Sequence, residues 1–412
     1  MKKGKSICSV LLISFLFIGL NVVFSDYSEA ADEIRIGVIG PMTGPAADVG
    51  QGIKKASIMA ADEINAKGGI LGKKVALFFG DDESKPSAGA SVVERMIAKD
   101  KIDLLTGGLH TDVALATMEI PARYRIPYVM TGPASGSITK RMIADPKKFA
   151  LTFKTDPATE AIVASWPLFN TDMNSKGFFN LKTKKVAVIG ENTDYGRTGA
   201  QTFRDESKKA GFEVVAYEIV DIKQADFMPI LSKIKSLNPE IVWTIQTSVA
   251  AGVALLKQFL EIGIPAVYEP YYVSANPEYV KFAGSNKDGI LTAGMRHQVR
   301  SGPKGDAFRK AFVQRWGMNP EMVPCWQYDV MYMAKIAYEK AGSTDPEKFS
   351  QAYAQTDYTG VAMRYVYDKN HEAIYGVGYF FLPFCQYWGD DEILVYPFDM
   401  AEGKFRTPPW MK

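Results

Sequence analysis

The sequence predicts an α/β fold in two lobes, each a mostly parallel sheet flanked by helices, with three crossings of the chain forming a hinge. Three observations lead there. Strand and helix patterns alternate along almost the whole chain, as parallel sheets with helical crossovers require. The alternation restarts near Phe149, after one complete set. Beyond an apolar leader, about 380 residues remain, enough for two domains of ordinary size.

The leader comes first. Lys2, Lys3 and Lys5 precede an apolar run from Ile7 to about Phe24, and Ser28-Glu29-Ala30-Ala31 follows. A basic start, an apolar middle and small residues at a cut site describe a secretory signal peptide over residues 1–30, cleaved after Ala30 or Ala31. A retained anchor would need about 20 apolar residues; Asn21 interrupts the run, and the small residues fit cleavage better. Cys8 lies too early to become a lipid-attachment cysteine. No later stretch is long and apolar enough to span a bilayer, so the mature chain is expected in the periplasm.

In the first set, IRIGVIG (34–40) reads as a strand and residues 50–66 as a helix that stops at Gly68-Gly69. VALFFGDD (75–82) is a strand, 86–99 a helix, IDLLTGG (102–108) a buried strand, 110–124 a helix and IPYVMTG (126–132) a strand. In the second set, helices are expected over 155–169, 196–210, 227–237 and 250–262. Strands are expected at 185–191, 212–220, 240–246 and 266–273. Residues 289–298 read as an extended crossing back to the first lobe. Helices at 303–316 and 324–341 follow, then a third crossing near 363–369, and strands at 378–388 and 392–398. Residues 31–150 with 297–365 are thus expected to form the N-terminal lobe, and 151–296 with 366–412 the C-terminal lobe. Ligands of open parallel sheets bind beyond the carboxyl ends of the strands, which places the site in the cleft between the lobes.

Composition narrows the function. The formal charge is +2, falling to +1 without the leader, so nothing electrostatic favours a nucleic-acid partner. Cys325 and Cys385 remain in the mature chain. The compartment permits a disulfide, and two buried thiols are the plainer alternative. Only three histidines occur, His110, His297 and His371, and no HExxH, CxxC, Walker or GxGxxG pattern is present. Ser135 lies in GPASGS, which lacks the GxSxG order of a nucleophile elbow. Asp81-Asp82-Glu83 reads as a solvated strand end more readily than as a cation site. No metal, cofactor or catalytic activity is expected.

Binding features are stronger. PMTGPAADVGQG (41–52) is a tight loop leading into a helix. GGLHTDVA (107–114) is a second such loop, with Thr111 near the helix start, where its hydroxyl caps the helix or helps bind a ligand carboxylate. TGPASGS (131–137) is a third, with backbone groups and the hydroxyl of Ser135. Together they make a polar ledge for a small anion or carboxylate.

These residues resemble the periplasmic solute-binding proteins of the branched-chain amino acid type, which serve ABC transporters. The resemblance covers nearly the whole mature chain, through IRIGVIGPMTGPAADVGQG, AADEINAKGGILGKKV, DDESKP, the GG loop before His110, IPYVMTGPAS, ENTDYGRTG and QYDVMYMAKIAYEKAG. It implies a type I periplasmic binding fold whose lobes close on one small solute and then dock on a membrane permease, the protein itself being a monomer. It implies that Thr111, with Gly132, Pro133, Ala134 and Ser135, holds a carboxylate. It also implies that Tyr195 lines the site, that Val49 faces the ligand side chain and that Trp326 forms an apolar wall. Gln246 and Thr247 offer neutral hydrogen bonds from the second lobe. The departure lies in AVYEPYYVSAN (266–276). Amino-acid binders of the family carry an acid in this loop to pair with the α-ammonium, and here that register holds Tyr272, with Glu269 three residues earlier. The solute is therefore either an amino acid paired with Glu269 or an acid without an amine. A ligand-sensing module for a membrane receptor would use the same closure, and a secreted hydrolase would need a nucleophile-base pair that the sequence does not supply.

Overall fold

A computed structural model of the chain describes Met1 and residues 33–293, 302–376, 378–389 and 391–412. The leader and the second half of the predicted 289–298 crossing, with His297, lie outside the described residues.

Two parallel sheets organise the molecule, confirming the two-lobed α/β class. The first has the order β2-β1-β3-β4-β5 and is parallel throughout. Its strands are β1 (Glu33–Gly40), β2 (Lys74–Asp81), β3 (Leu104–Gly107), β4 (Tyr128–Met130) and β5 (Thr152–Lys154). Between them run α1 (Ala47–Ala66), α2 (Pro86–Ala98), α3 (Thr111–Thr117), α4 (Glu119–Tyr124) and α5 (Gly136–Ala144). β1 is buried along nearly its whole length, because helices cover both faces of such a sheet. In α1 the fully buried residues Val49, Ile53, Ala56, Ala60 and Ile64 recur every three or four positions and form the stripe that packs inward.

The second sheet, β7-β6-β8-β9, is also parallel. It comprises β6 (Lys185–Glu191), β7 (Glu213–Val220), β8 (Ile241–Gln246) and β9 (Val267–Tyr272). Its helices are α6 (Thr159–Val163), α7 (Ser165–Ser175), α8 (Asp194–Lys209), α9 (Met228–Ser236), α10 (Val249–Ile262) and α11 (Pro277–Ala283). The helix expected over 155–169 starts later and runs on to Ser175 as two pieces. The residues before it belong to a polar crossing described below.

The remaining chain serves both lobes. After β10 (Leu291–Ala293) come α12 (Pro303–Trp316), α13 (Met322–Ala341) and α14 (Pro346–Tyr353). α13 is buried almost all round because it packs between α1 and α14. A hairpin, β11 (Asp357–Thr359) with β12 (Arg364–Val366), follows. β13 (Phe384–Trp388) and β14 (Asp391–Tyr396) then form an antiparallel sheet with β10. The strand expected over 378–388 is regular only from Phe384. Its first half turns instead, and Pro383 has no N–H to give a ladder. This end of the chain fastens to the second lobe: Phe384 stacks on Phe169 at 4.2 Å, Tyr387 donates to the Ser274 carbonyl at 2.9 Å, and Trp410 donates to the Ala266 carbonyl at 2.9 Å.

Two passages between the lobes run side by side. Lys154 donates its amide to the His371 carbonyl, and Ala373 donates back to the Lys154 carbonyl, both at 2.9 Å. The fully buried Lys154 ammonium pairs with Glu372 at 3.1 Å and also donates to the Asp156 carbonyl. Thr139 and the amide of Ala158 hold the same Glu372 carboxylate.

Candidate functional site

The carboxyl ends of the two parallel sheets face each other, and the loops leaving them meet. On the first lobe, the β1–α1 loop folds tightly because position 50 is glycine. A Cβ there would lie 2.2 Å from the Pro41 carbonyl oxygen. Gly107, at φ +93°, passes so near β1 that a Cβ would sit 2.3 Å from the Ile39 oxygen. These two close approaches let three loops lie against one another. The first turn of α13 closes the side of this ledge, with Val323 against Gly132 and Pro324 against Gly52.

Thr111 does not cap its own helix. Its hydroxyl, almost fully buried, accepts the amide hydrogen of Ser135 at 3.3 Å and so ties the second loop to the third. Ser135 caps α5 by accepting the Ser137 amide at 3.2 Å, and its hydroxyl reaches Thr198 of the second lobe at 3.5 Å. Gly132, Pro133 and Ala134 form the buried strand-to-helix turn between them. Val49 lies buried in the first turn of α1. Trp326 stands in the first turns of α13 and packs on Phe380 at 4.8 Å, with its indole N–H unpartnered.

On the second lobe, Thr193 caps α8, and Tyr195 in the first turn turns its ring to Tyr272 at 5.9 Å and Tyr271 at 6.4 Å. Gln246 and Tyr272 are neighbours at the ends of paired strands. The hydroxyl of Tyr195 and the side-chain oxygen of Gln246 are buried without hydrogen-bond partners. Thr247 differs from them. Its amide and hydroxyl are both taken by Glu191, at 2.7 and 3.0 Å, so it faces its own lobe. Burial pushes the Glu191 carboxyl up to about 7 against the hydrogen bonds it receives.

Tyr272 has φ +71° and ψ −65°, the strained geometry of a γ-turn, which costs a non-glycine residue about 1–3 kcal/mol. The turn brings its hydroxyl to the Glu321 carboxyl without closing a well-formed hydrogen bond. Glu269 is elsewhere. It pairs in register with Trp243, lies below Tyr271 in the core of the second lobe, and receives a hydrogen bond from Asn170 at 3.2 Å. Cys325 and Cys385 are free and buried, so the two-thiol alternative describes the structure.

Several residues at the meeting of the lobes carry no local sequence signal. The Asp194 amide donates to Asp112 at 3.0 Å, Ser137 donates to Asp194 at 3.2 Å, and Asn276 donates to Asp48. These contacts hold the lobes together. Among the described residues, no cluster of His, Cys, Asp or Glu is arranged to hold a metal ion.

A family model described as periplasmic binding protein matches residues 33–381. The chain belongs to the periplasmic binding protein family. Its type I architecture agrees with solved structures. A putative branched-chain amino acid ABC transporter protein from Silicibacter pomeroyi superposes with a TM-score of 0.79 at 23% identity, over 92% of this chain and 100% of that one. A solute-binding protein from R. palustris, solved with benzoate, gives 0.76 at 18% identity, over 88% and 95%. Among curated relatives, the Leu/Ile/Val-binding protein homolog 3 of Brucella melitensis is 29% identical over 321 residues, 77% of this periplasmic binding protein and 82% of the relative.

Proposed function

We propose that the chain is the extracytoplasmic solute receptor of an ABC importer, exported by a cleaved signal peptide and closing by hinge motion around a small carboxylate-bearing solute. The observation that carries this reading is the pair of opposed surfaces: a three-loop ledge on one lobe, and buried, unpartnered polar atoms of Tyr195 and Gln246 on the other. Unpaired buried polar groups cost free energy, and a solute between the lobes would satisfy them. In this reading Thr111 and the Gly132–Ser135 turn hold the carboxylate, because amides at helix starts favour anions. Tyr195, Gln246 and Tyr272 cover it, while Val49 and Trp326 bound the apolar part of the solute. The closed receptor, a monomer, then docks on its membrane permease.

The names of similar proteins support both branches of the solute class. One relative is named for leucine, isoleucine and valine, and one similar structure was solved with the amine-free acid benzoate. The test is a thermal-shift panel on protein unfolded and refolded to strip bound solute, comparing small acids with their neutral amides. A ligand at 100 times its dissociation constant stabilises the folded state by about 2.7 kcal/mol, which the panel reads readily. Acids should shift the melting temperature and their amides should not. Shifts with amides alone would refute the carboxylate ledge.

A further inference from the structure

A cavity of about 420 Å³ lies where α12 begins, between the tip of the β11–β12 hairpin and the chain around Gly378 to Phe381. We propose that it is a second small-molecule site, taking an organic anion with an apolar or aromatic body. Its volume falls within the range of ordinary ligand pockets, about 300–1,000 Å³. It is separate from the cleft. Phe380 is fully buried and packs on Trp326, which the proposed function places at the cleft. Tyr379 and Phe381, on either side of it in sequence, line the cavity instead. The site is therefore independent of what the cleft binds.

Charge selects the ligand's sign. Among the described residues lining the cavity are two cations, Lys304 and Arg364, and no carboxylate. The Lys304 ammonium donates to the Tyr358 hydroxyl at 2.9 Å and the Thr359 carbonyl at 2.7 Å, which leaves its third N–H for a ligand. Arg364 gives Nε and Nη2 to Asp357 at 2.8 and 2.7 Å and keeps Nη1. Asp357 stands outside the lining, and water screens that exposed pair. Asp329, behind the hairpin tip, is already spent. It accepts the Val361 amide at 2.8 Å, the Ala362 amide at 3.3 Å and the Tyr365 hydroxyl at 3.0 Å.

The first turn of α12 adds to this. Gly302 at its N-cap has no side chain to satisfy the free amides, and Gly302 to Gly305 line the cavity. Asp306, the acid of that turn, pairs with Arg309 at 3.5 Å. Partial shielding from water presses the Lys304 ammonium toward its neutral form, which a bound anion would relieve. Apolar surface faces these charges, from Met363, Tyr379, Phe381 and Met400. An inorganic anion would leave that surface unmatched, and a hydrocarbon would leave the cations unmatched. A molecule with both parts satisfies the whole lining.

The experiment is NMR on protein with isotope-labelled methionine methyls, titrated with naphthoate and with its neutral counterpart naphthamide. Met363 and Met400 both line the cavity, and Met363→Leu and Met400→Leu assign their signals. Naphthoate should move both signals saturably, and naphthamide should bind at least about tenfold more weakly. Lys304→Gln combined with Arg364→Gln should cost naphthoate about tenfold or more at the same signals, the scale of losing charge-assisted bonds. Both side chains reach solvent, so the double variant should fold, as its remaining methyl signals will verify. Movement confined to other methionines would overturn the proposal. So would equal binding of the amide, or a folded double variant that binds naphthoate like wild type.

Discussion

The backbone amide of Asp194, at the first turn of α8 in the second lobe, donates to the carboxylate of Asp112, in the first turn of α3 in the first lobe, at 3.0 Å. A carboxylate against a helix amino end is favoured by the orphan amides and the helix dipole together. Here that interaction spans two lobes, so any separation of the lobes would break it. Asp112 is also 4.0 Å from Arg197, one turn along α8.

Asp112→Ala should therefore weaken solute binding by roughly three- to tenfold, the worth of a partly exposed charge at a helix end. The melting temperature of the solute-free protein should barely move. Calorimetry with whichever acid binds wild type reads the first effect and thermal melts the second. Unchanged affinity would show that this contact does not help hold the closed form.

Thr111→Ala removes the acceptor for the Ser135 amide and a hydroxyl from the ledge. Binding should fall by about tenfold or more, since one buried partner is left unpaired. The fold should survive, because both loops keep their backbone bonds, such as Gly132 to the Gly108 carbonyl at 3.2 Å. Equal affinity of variant and wild type would remove Thr111 from the site.

Buried carboxyls set an unusual pH profile. Burial raises Asp82, Glu191 and Asp329 to about 7 and Glu269 to about 8. In the unfolded chain these groups ionise near 4, so the folded state holds extra protons between about pH 4 and 8, and stability falls as pH rises through that window. His110 acts in the opposite direction. Buried and lowered to about 4, it costs stability as pH falls below 6.5. The four carboxyls outweigh the one imidazole, so the melting temperature should decline steadily from about pH 4 toward pH 8. Glu269→Gln should flatten the decline. Melts across pH 5–9 check both, and a melting temperature that climbs toward pH 8 would contradict the assignment.

The fold was legible in the sequence because its parallel strands are continuous apolar runs broken by glycine and proline. β6 and α12 appear with the bounds expected of them. What escaped was structure whose reason lies in distant contacts. α5 is a short helix begun by Ser135, and it reads locally as more loop. The β11–β12 hairpin and α14 had no expected counterpart, since neither is marked by strong periodicity. Within the site, the ledge loops could be read from their glycines, prolines and hydroxyls. Thr247 looked available because nothing local reveals that Glu191, 56 residues earlier, takes both of its polar groups.

The thiols offer a further check. Cys325 donates to the Glu321 carbonyl at 3.1 Å, and Cys385 is fully buried in β13. Burial raises both, so neither is a ready thiolate. In native protein, alkylation mapped by mass spectrometry should miss both sites, and denaturant should expose both. A disulfide between them, or rapid native labelling, would contradict the structure's packing.

Closure around the solute is best tested by small-angle X-ray scattering on refolded, solute-free protein and on the same protein saturated with the acid that binds it. A hinge between lobes predicts a smaller radius of gyration on saturation, because the Asp112–Asp194 and Asp48–Asn276 contacts form as the lobes come together. Superimposable profiles, with binding verified in the same samples, would contradict closure as the way this protein holds its solute.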